Sequence, residues 1–457
     1  MNTSFFGEML NSITERGRAL IDRARDRRGG AAARSETLAE LCEELLSVRG
    51  EASGVALAGD ILEQYANLTI GPRIAFFEAL AQRFGPDRAA LEAAIAAWQA
   101  EPCDRTAADL HIAAEPRRQE LLRRLNLAPA GTAALVRMRE QLLEALGHRK
   151  DLADVDADFV HLFSSWFNRG FLVLRRIDWA TPAMILEKII RYEAVHRIHS
   201  WDDLRRRIDP PDRRCYAFFH PALVDEPLIF VEVALSRDIP GAIGPILSAE
   251  QDTANDDKFT TATFYSISNC QRGLAGVSFG NFLIKQVVQE ISRENPRLRT
   301  FVTLSPVPDF ARWLDRERRA DSSVALTPED RAAFEVLDRE GWWREPETCD
   351  AVREPLLRTA AWYFLHAKNR RGLPADAVAR FHLGNGARLE RINWLGDDSE
   401  RGIAQSFGLM VNYLYDLEDI EKNHEAYAEG QKVVVSNTVR RLQRGPAPAE
   451  LVPALSG

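Results

Sequence analysis

Apolar residues recur at helical spacing through the first third of the chain. From Thr132 to Leu146, the residues Leu135, Met138, Leu142 and Leu146 fall on one face, Thr132 stands where an N-cap is wanted, and Gly147 follows as a stop. The same spacing appears around Leu38, Leu41 and Leu45, and again from Ile74 to Leu80. β-Branched runs are nearly absent and no fixed period repeats, so residues 1–170 are expected to form a helical bundle rather than a solenoid.

The texture changes after Phe171. Arg214–His220 and LIFVEVAL (Leu228–Leu235) are short, β-branched or aromatic, and bounded by Pro and Asp, as strands are. TATFYSIS (Thr261–Ser268) alternates in the same way. A glycine-rich turn follows, then a helix over 278–294 with Phe282, Leu283, Val287, Val288 and Ile291 at helical spacing, then a strand over Thr300–Leu304. This order predicts an α/β or α+β domain over 171–445. The charged stretch from Asp309 to Arg353 is expected to be a solvent-facing helical insertion. Pro355–Lys368 reads as a helix, Ala387–Trp394 and Leu409–Tyr415 as strands, Glu429–Arg444 as a closing helix, and 446–457 as a frayed tail.

Composition narrows the function classes. A chain of 457 residues exceeds one ordinary core, and 46% hydrophobic with 28% charged residues is the profile of a folded protein of two or three domains. The net charge of -8, from 59 basic and 67 acidic side chains, argues against a nucleic-acid binder. An anionic ligand would have to be held by a local cluster. Five scattered cysteines without a CxxC pair read as free thiols in a reducing compartment, not as a disulfide framework or zinc site. No apolar run approaches the ~20 residues of a spanning helix, so no membrane association is expected. The Arg-rich start is interrupted by Glu8, Glu15, Asp22, Asp26 and Glu36, unlike a transit peptide, and the ending Leu455-Ser456-Gly457 is not Ser-Lys-Leu. The expected location is the cytoplasm.

Candidate chemistry begins at the turn Gln271-Arg272-Gly273-Leu274-Ala275-Gly276-Val277, between a predicted strand and a predicted helix. Backbone N–H groups opening a helix have no intrahelical partner and suit a phosphate, and glycines let the chain approach it closely. A tight turn without a ligand is the plain alternative. The segment is neither GxGxxG nor a Walker loop; it resembles the acyl-CoA pyrophosphate loop of the GNAT acyltransferase superfamily, Gln/Arg-x-x-Gly-x-Gly/Ala. Within it, Gly276-Val277-Ser278-Phe279-Gly280 matches the GxSxG elbow of α/β-hydrolases. An elbow needs its strand to run straight into the first glycine, and Arg272–Ala275 intervene, so Ser278 is read as a helix-start residue. Thr303-Leu304-Ser305-Pro306-Val307-Pro308 ends a strand where proline must stop or splay the pairing; beside a bound acyl chain this would expose a hydroxyl, and a plain strand exit with a capping serine is the favoured reading of the segment alone. His382 sits before Asn385-Gly386 at the end of a short predicted helix, where a dipole-favoured cap is the plain reading. His196 and His199 lack a third ligand, and no metal or cofactor is expected.

Together these blocks resemble one family. FYSISNCQRGLAGVSFGNFLIKQVV (Phe264–Val288), FVTLSPVPDFARWL (Phe301–Leu314), FHLGNGARLERINWLGD (Phe381–Asp397) and SFGLMVNYLY (Ser406–Tyr415) are similar, in that order, to the malonyl-CoA decarboxylases. So are WFNRGFLVLRRIDW (Trp166–Trp179) and RRCYAFFHP (Arg213–Pro221). The likeness is strong from Trp166 to Tyr415 and only one of character before it. It implies an α+β chain: a helical domain that supports tetramer assembly, then a GNAT-like mixed-sheet acyl-CoA-binding domain. It also implies Ser305 and His382 as the catalytic pair. Some members carry Glu where this chain has Ser278, so a supporting carboxylate there is lost.

The reaction suits these residues. Breaking the bond to the carboxylate sends an electron pair toward the thioester carbonyl, which is its own electron sink, so no pyridoxal, thiamine or biotin is required. The protein must hold CoA, stabilise the enolate oxygen and protonate C2. Malonyl-CoA and acetyl-CoA are the expected ligands. Their binding set is read as Gln271, Arg272, Gly273, Leu274, Ala275, Gly276, Val277, Ser278, Phe279, Gly280, Asn281, Ile284, Lys285 and Asn412. His382 is expected to donate the proton, with a pKa near working pH, while Ser305 orients the malonyl group and Tyr415 assists near the acyl end. Rival readings are an acyl-CoA N-acyltransferase, a serine hydrolase or CoA thioesterase using Ser278, and a non-catalytic acyl-CoA sensor.

Overall fold

The computed structural model describes residues 37–47, 50–248, 258–277 and 283–443. They group into two compact units: the residues up to Val173 with Phe219–Glu226 and the described part of Gln271–Phe279, and all the rest.

The first unit is helical: α1 (Leu38–Ser47), α2 (Glu51–Ala66), α3 (Ile70–Arg83), α4 (Arg88–Ala100), α5 (Asp104–Ala114), α6 (Arg117–Asn126), α7 (Gly131–Leu146) and α8 (Ala153–Trp166). The apolar stripes converge on one core, in which Leu45, Ile61, Phe77, Leu80, Leu121, Leu125, Leu135, Leu142 and Phe159 are almost fully buried. Within that core Asp158 pairs with Arg118 and accepts from Gln119 Nε2 at 2.6 Å, so the buried charge is compensated. Thr132 is not the cap of α7. The helix starts one residue earlier, and the Thr132 hydroxyl donates to Asn126 Oδ1 at 2.7 Å. Gly131 allows this: a Cβ there would stand 2.5 Å from Leu125 O. No residue of α4 is buried, and Ile95, Trp98 and Ile112 of α4 and α5 are exposed.

The second unit is built on a mixed sheet with order β1-β2-β3-β4-β5-β8-β6, and with β7 also paired to β8. The strands are β1 (Val173–Ile177), β2 (Arg213–Phe219), β3 (Pro227–Ser236), β4 (Thr261–Asn269), β5 (Thr300–Thr303), β6 (Ser305–Pro306), β7 (Arg388–Asn393) and β8 (Met410–Leu414). Pairing is antiparallel between β3 and β4 and parallel between β4 and β5, and β8 runs antiparallel to its neighbours β5, β6 and β7. β3 is buried on both faces, as its near-continuous apolar run requires. Its one charge, Glu232, accepts from Arg207 Nη1 at 3.2 Å. The α+β arrangement expected from the pattern is present.

The helices of this unit are α9 (Ala183–Tyr192), α10 (Trp201–Ile208), α11 (Gly244–Leu247), α12 (Leu283–Glu294), α13 (Phe310–Arg319), α14 (Pro328–Ala333), α15 (Pro346–His366), α16 (Ala377–Gly384), α17 (Glu400–Ser406), α18 (Ile420–Gly430) and α19 (Asn437–Leu442). Three expectations fail here. The charged stretch 309–353 is not solvent-facing throughout, because Phe310, Trp313, Leu314, Phe334 and Trp342 enter the core. Pro355 does not begin a helix; α15 runs through it, carried by the buried stripe Val352, Leu356, Ala360 and Tyr363. The closing helix is two helices. The chain breaks at Gln431 (φ 49°) because Val434 O accepts from Leu389 N at 2.9 Å, after which Ser436 caps α19.

Candidate active site

The sheet opens at β4. Thr261–Phe264 pair with β5, Leu304 N–H reaches Phe264 O at 2.9 Å, and then the two strands part. The chain passes into β6, which pairs instead with β8 through Ser305↔Val411 and Pro306↔Met410. Pro306 has no N–H to offer a ladder, and the strand exit read at this point in the sequence is where the splay occurs. β4 continues to Asn269 on β3 alone. Between Glu232↔Ser266 and Val233↔Phe264 a bulge leaves Tyr265 without a partner, which adds bend to the strand. On its far face β4 is anchored, because Ser266 and Ser268 donate to the Glu193 carboxylate at 2.7–3.3 Å.

A cavity of about 280 Å³ lies here, walled by Ile229, Val231, Ile267, Leu283, Ile284 and Phe381, with Ser305 and His382 also in its lining. No Lys, Arg, Asp or Glu is among its described lining residues.

His382 reaches the cavity from the last turn of α16. Asp376 caps that helix, its Oδ1 accepting from Ala379 N–H at 2.7 Å. The following Asn385-Gly386 does more than cap. Gly386 has φ +83°, and a Cβ there would lie 2.1 Å from Ile420 O, so only glycine lets the chain turn so close to α18. The imidazole stacks on Tyr413, centroids 4.6 Å apart at 25°. Its Nδ1 is 2.8 Å from the Tyr415 hydroxyl and its Nε2 3.2 Å from Ser305 Oγ. Ser305 Oγ in turn donates to Thr303 Oγ1 at 2.9 Å. All five side chains are nearly or fully buried.

Burial lowers the His382 pKa from its ordinary 6.5 to about 3, so the expectation of a pKa near working pH is overturned. The ring is neutral, with one nitrogen protonated. Burial likewise raises the Tyr415 pKa, so that hydroxyl stays an O–H. Since Ser305 directs its proton to Thr303, it faces His382 as an acceptor. The bonding pattern therefore assigns the imidazole proton to Nε2 and leaves Nδ1 to accept from Tyr415. That is the reverse of a serine nucleophile activated by histidine, where the hydroxyl would donate to the ring.

The model of the malonyl-CoA decarboxylase C-terminal domain matches residues 170–451, and that of the N-terminal domain matches residues 84–167. The chain belongs to the malonyl-CoA decarboxylase family. It is thereby a carboxy-lyase. It is 39% identical over 351 residues to the protein named mitochondrial malonyl-CoA decarboxylase of Anser anser anser, covering 71% of this chain and 69% of that one. The mouse protein of the same name is 36% identical over 357 residues, 73% of this chain and 72% of its own. Among solved structures, malonyl-CoA decarboxylase from Rhodopseudomonas palustris has a TM-score of 0.86 at 60% identity, covering 88% of this chain and 98% of its own. That from Agrobacterium vitis has a TM-score of 0.87 at 56% identity, covering 90% and 100%.

For this decarboxylase-family chain, Ser305, His382 and Tyr415 converge, and Ile284 lines the cavity. Lys285 is paired with Glu421. Asn412 does not line the cavity. It is fully buried, its Oδ1 taken by Arg391 and Asn393 and its Nδ2 by Thr303 O and Pro240 O. The loop from Gln271 to Val277 forms a tight turn in the helical unit, and its glycines serve different ends. A Cβ on Gly273 would stand 1.9 Å from Val136 O in α7, and the Gly273 carbonyl accepts from the buried Arg139 at 2.7 Å; that glycine is required by packing. Gly276, at φ +77°, has open space around it. Ser278, Phe279, Gly280 and Asn281 lie outside the described residues. Sequence reasoning passed over Thr303 and Tyr413. Thr303 was visible as the residue two before Ser305 on a strand, hence on the same face.

Proposed function

We propose that this protein decarboxylates malonyl-CoA to acetyl-CoA and carbon dioxide, with Ser305, His382 and Tyr415 as the working array. The observation that carries this reading is a buried imidazole held between a serine and a tyrosine, in the wall of an apolar cavity with no charged residue among its described lining. A carboxylate brought into such walls loses water without gaining a cation. Release of neutral carbon dioxide then moves the charge onto the thioester oxygen. The C2–C3 bonding pair, released from the carboxylate carbon, becomes the enolate, which an N–H or O–H donor stabilises by roughly 2.7–4 kcal/mol. C2 takes the Nε2 proton, a proton from solvent returns to Nε2, and Nδ1 remains the acceptor of the Tyr415 O–H, so the reaction consumes one proton overall. Ser305 acts by position. The thioester is the electron sink, and no cofactor enters.

The loop Gln271–Val277 is proposed to hold the CoA diphosphate, a reading supported by the left-handed, unobstructed Gly276. Assembly into homo-oligomers is proposed through α4 and α5, a reading supported by their exposed Ile95, Trp98 and Ile112. The cytoplasm is the proposed location.

The test is product analysis with purified protein and malonyl-CoA. Acetyl-CoA and carbon dioxide are expected, with most activity kept in Ser278→Ala and nearly all lost in His382→Ala. Free CoA as the main product would replace this reading with hydrolysis, and binding without turnover would replace it with an acyl-CoA sensor.

A further inference from the structure

We infer that Thr303 is a positioning residue that decides which nitrogen of His382 carries the proton. This rests on the reading of Ser305 and His382 given above and goes one step behind it. Thr303 is the last residue of β5 and is 1% exposed. Its Oγ1 receives two donors: the backbone N–H of Tyr413 at 3.1 Å and the hydroxyl of Ser305 at 2.9 Å. Its carbonyl accepts from Asn412 Nδ2 at 2.7 Å, so backbone and side chain are both held. A hydroxyl oxygen has two lone pairs, and here both are used. Ser305 has a single proton, and Thr303 takes it.

The consequence passes along the chain of bonds. With its proton turned to Thr303, Ser305 can meet His382 Nε2, 3.2 Å away, only as an acceptor, and Nε2 must therefore be N–H. Nδ1 then has a free lone pair for Tyr415 O–H at 2.8 Å. Without the Thr303 oxygen the Ser305 proton is free to turn to Nε2. The ring proton would then sit on Nδ1 and donate to Tyr415, leaving a serine hydrogen-bonded to a basic nitrogen. The same two side chains would face the cavity as a base and a hydroxyl, not as an N–H donor. Thr303 touches no substrate in this scheme; it acts through Ser305.

The experiment uses the full-length protein without substrate, labelled with ¹⁵N-histidine, in which Nε2–H and Nδ1–H imidazoles have distinct nitrogen shifts. His382→Gln identifies the resonance. Wild type and Thr303→Ser are expected to show the proton on Nε2, and Thr303→Val to move it wholly or partly to Nδ1. With malonyl-CoA, Thr303→Val should lower kcat roughly a hundredfold to a thousandfold, the range of one misdirected donor. KM should stay within about threefold, and Thr303→Ser should restore kcat. Valine also strips the Tyr413 amide of its acceptor, so Ser305→Ala is the second variant: it leaves the Thr303–Tyr413 bond intact and should still release the tautomer. The idea is overturned if Thr303→Val and Ser305→Ala both keep the proton on Nε2, or if the proton moves and kcat does not change. A wild type that shows the Nε2 proton but makes no acetyl-CoA would overturn the proposed reaction and leave this assignment standing.

Discussion

Acid should destabilise this fold through His382 before the carboxylates of the unfolded chain begin to take up protons. In the unfolded chain the imidazole has its ordinary pKa of 6.5, whereas in the folded protein burial lowers it to about 3. Between those two values the unfolded state binds a proton that the folded state refuses, so stability falls as the pH is lowered through 6.5. Taking the pH from 7.5 to 5.5 crosses the unfolded pKa by about one pH unit, and the folded ring remains neutral throughout. The loss is about 1.4 kcal/mol for this one residue. His196 behaves alike. It is 8% exposed with Nε2 unpartnered, and burial, the largest influence, lowers its pKa to about 4. It should add a second loss of about 1.4 kcal/mol over the same interval. The assay is urea unfolding of wild type, His382→Gln and His196→Gln at both pH values, read as the change in stability between the two. Each variant should lose about 1.4 kcal/mol less than wild type on acidification. If His382→Gln loses as much as wild type, the ring is not held neutral by burial. The donor assignment built on that neutrality then fails with it.

Tyr415→Phe keeps the ring and removes only the O–H that reaches His382 Nδ1 at 2.8 Å. Malonyl-CoA turnover should fall roughly tenfold to a hundredfold in kcat, with KM little changed. Because kcat/KM reports the free enzyme, its pH profile should show no inflection near 6.5 from His382. The two loop glycines should separate on thermal unfolding. Gly273→Ala drives a Cβ to within 1.9 Å of a backbone oxygen in α7 and should destabilise by about 1–3 kcal/mol or more. Gly276→Ala meets no atom within 4 Å and should cost only its left-handed backbone, about 1–2 kcal/mol.

Periodicity was enough to separate a helical first part from a mixed-sheet second part, because the 3.6 and 2.0 repeats are local properties that burial of one face imposes on any chain. Pro306 announced the strand exit for an equally local reason: a ring nitrogen without hydrogen cannot extend a ladder. The long motif blocks carried the family, and with it the expectation that Ser305 and His382 act as a pair. The remainder depended on distant neighbours. Pro355 sits inside a helix because its stripe finds a core, and Gly273 is spent on the backbone of α7 although the loop looks made for a phosphate. Asn412 is consumed by Thr303, Pro240, Arg391 and Asn393, four partners from three other stretches of chain. The charge state of His382 is the sharpest case. A histidine near a helix end reads as a titrating residue, and only the stacking of Tyr413 and the closure of strands from four parts of the sequence remove its water and fix its proton. Desolvation is a sum over everything that surrounds a group in space, and a linear sequence does not contain that sum until the chain has folded.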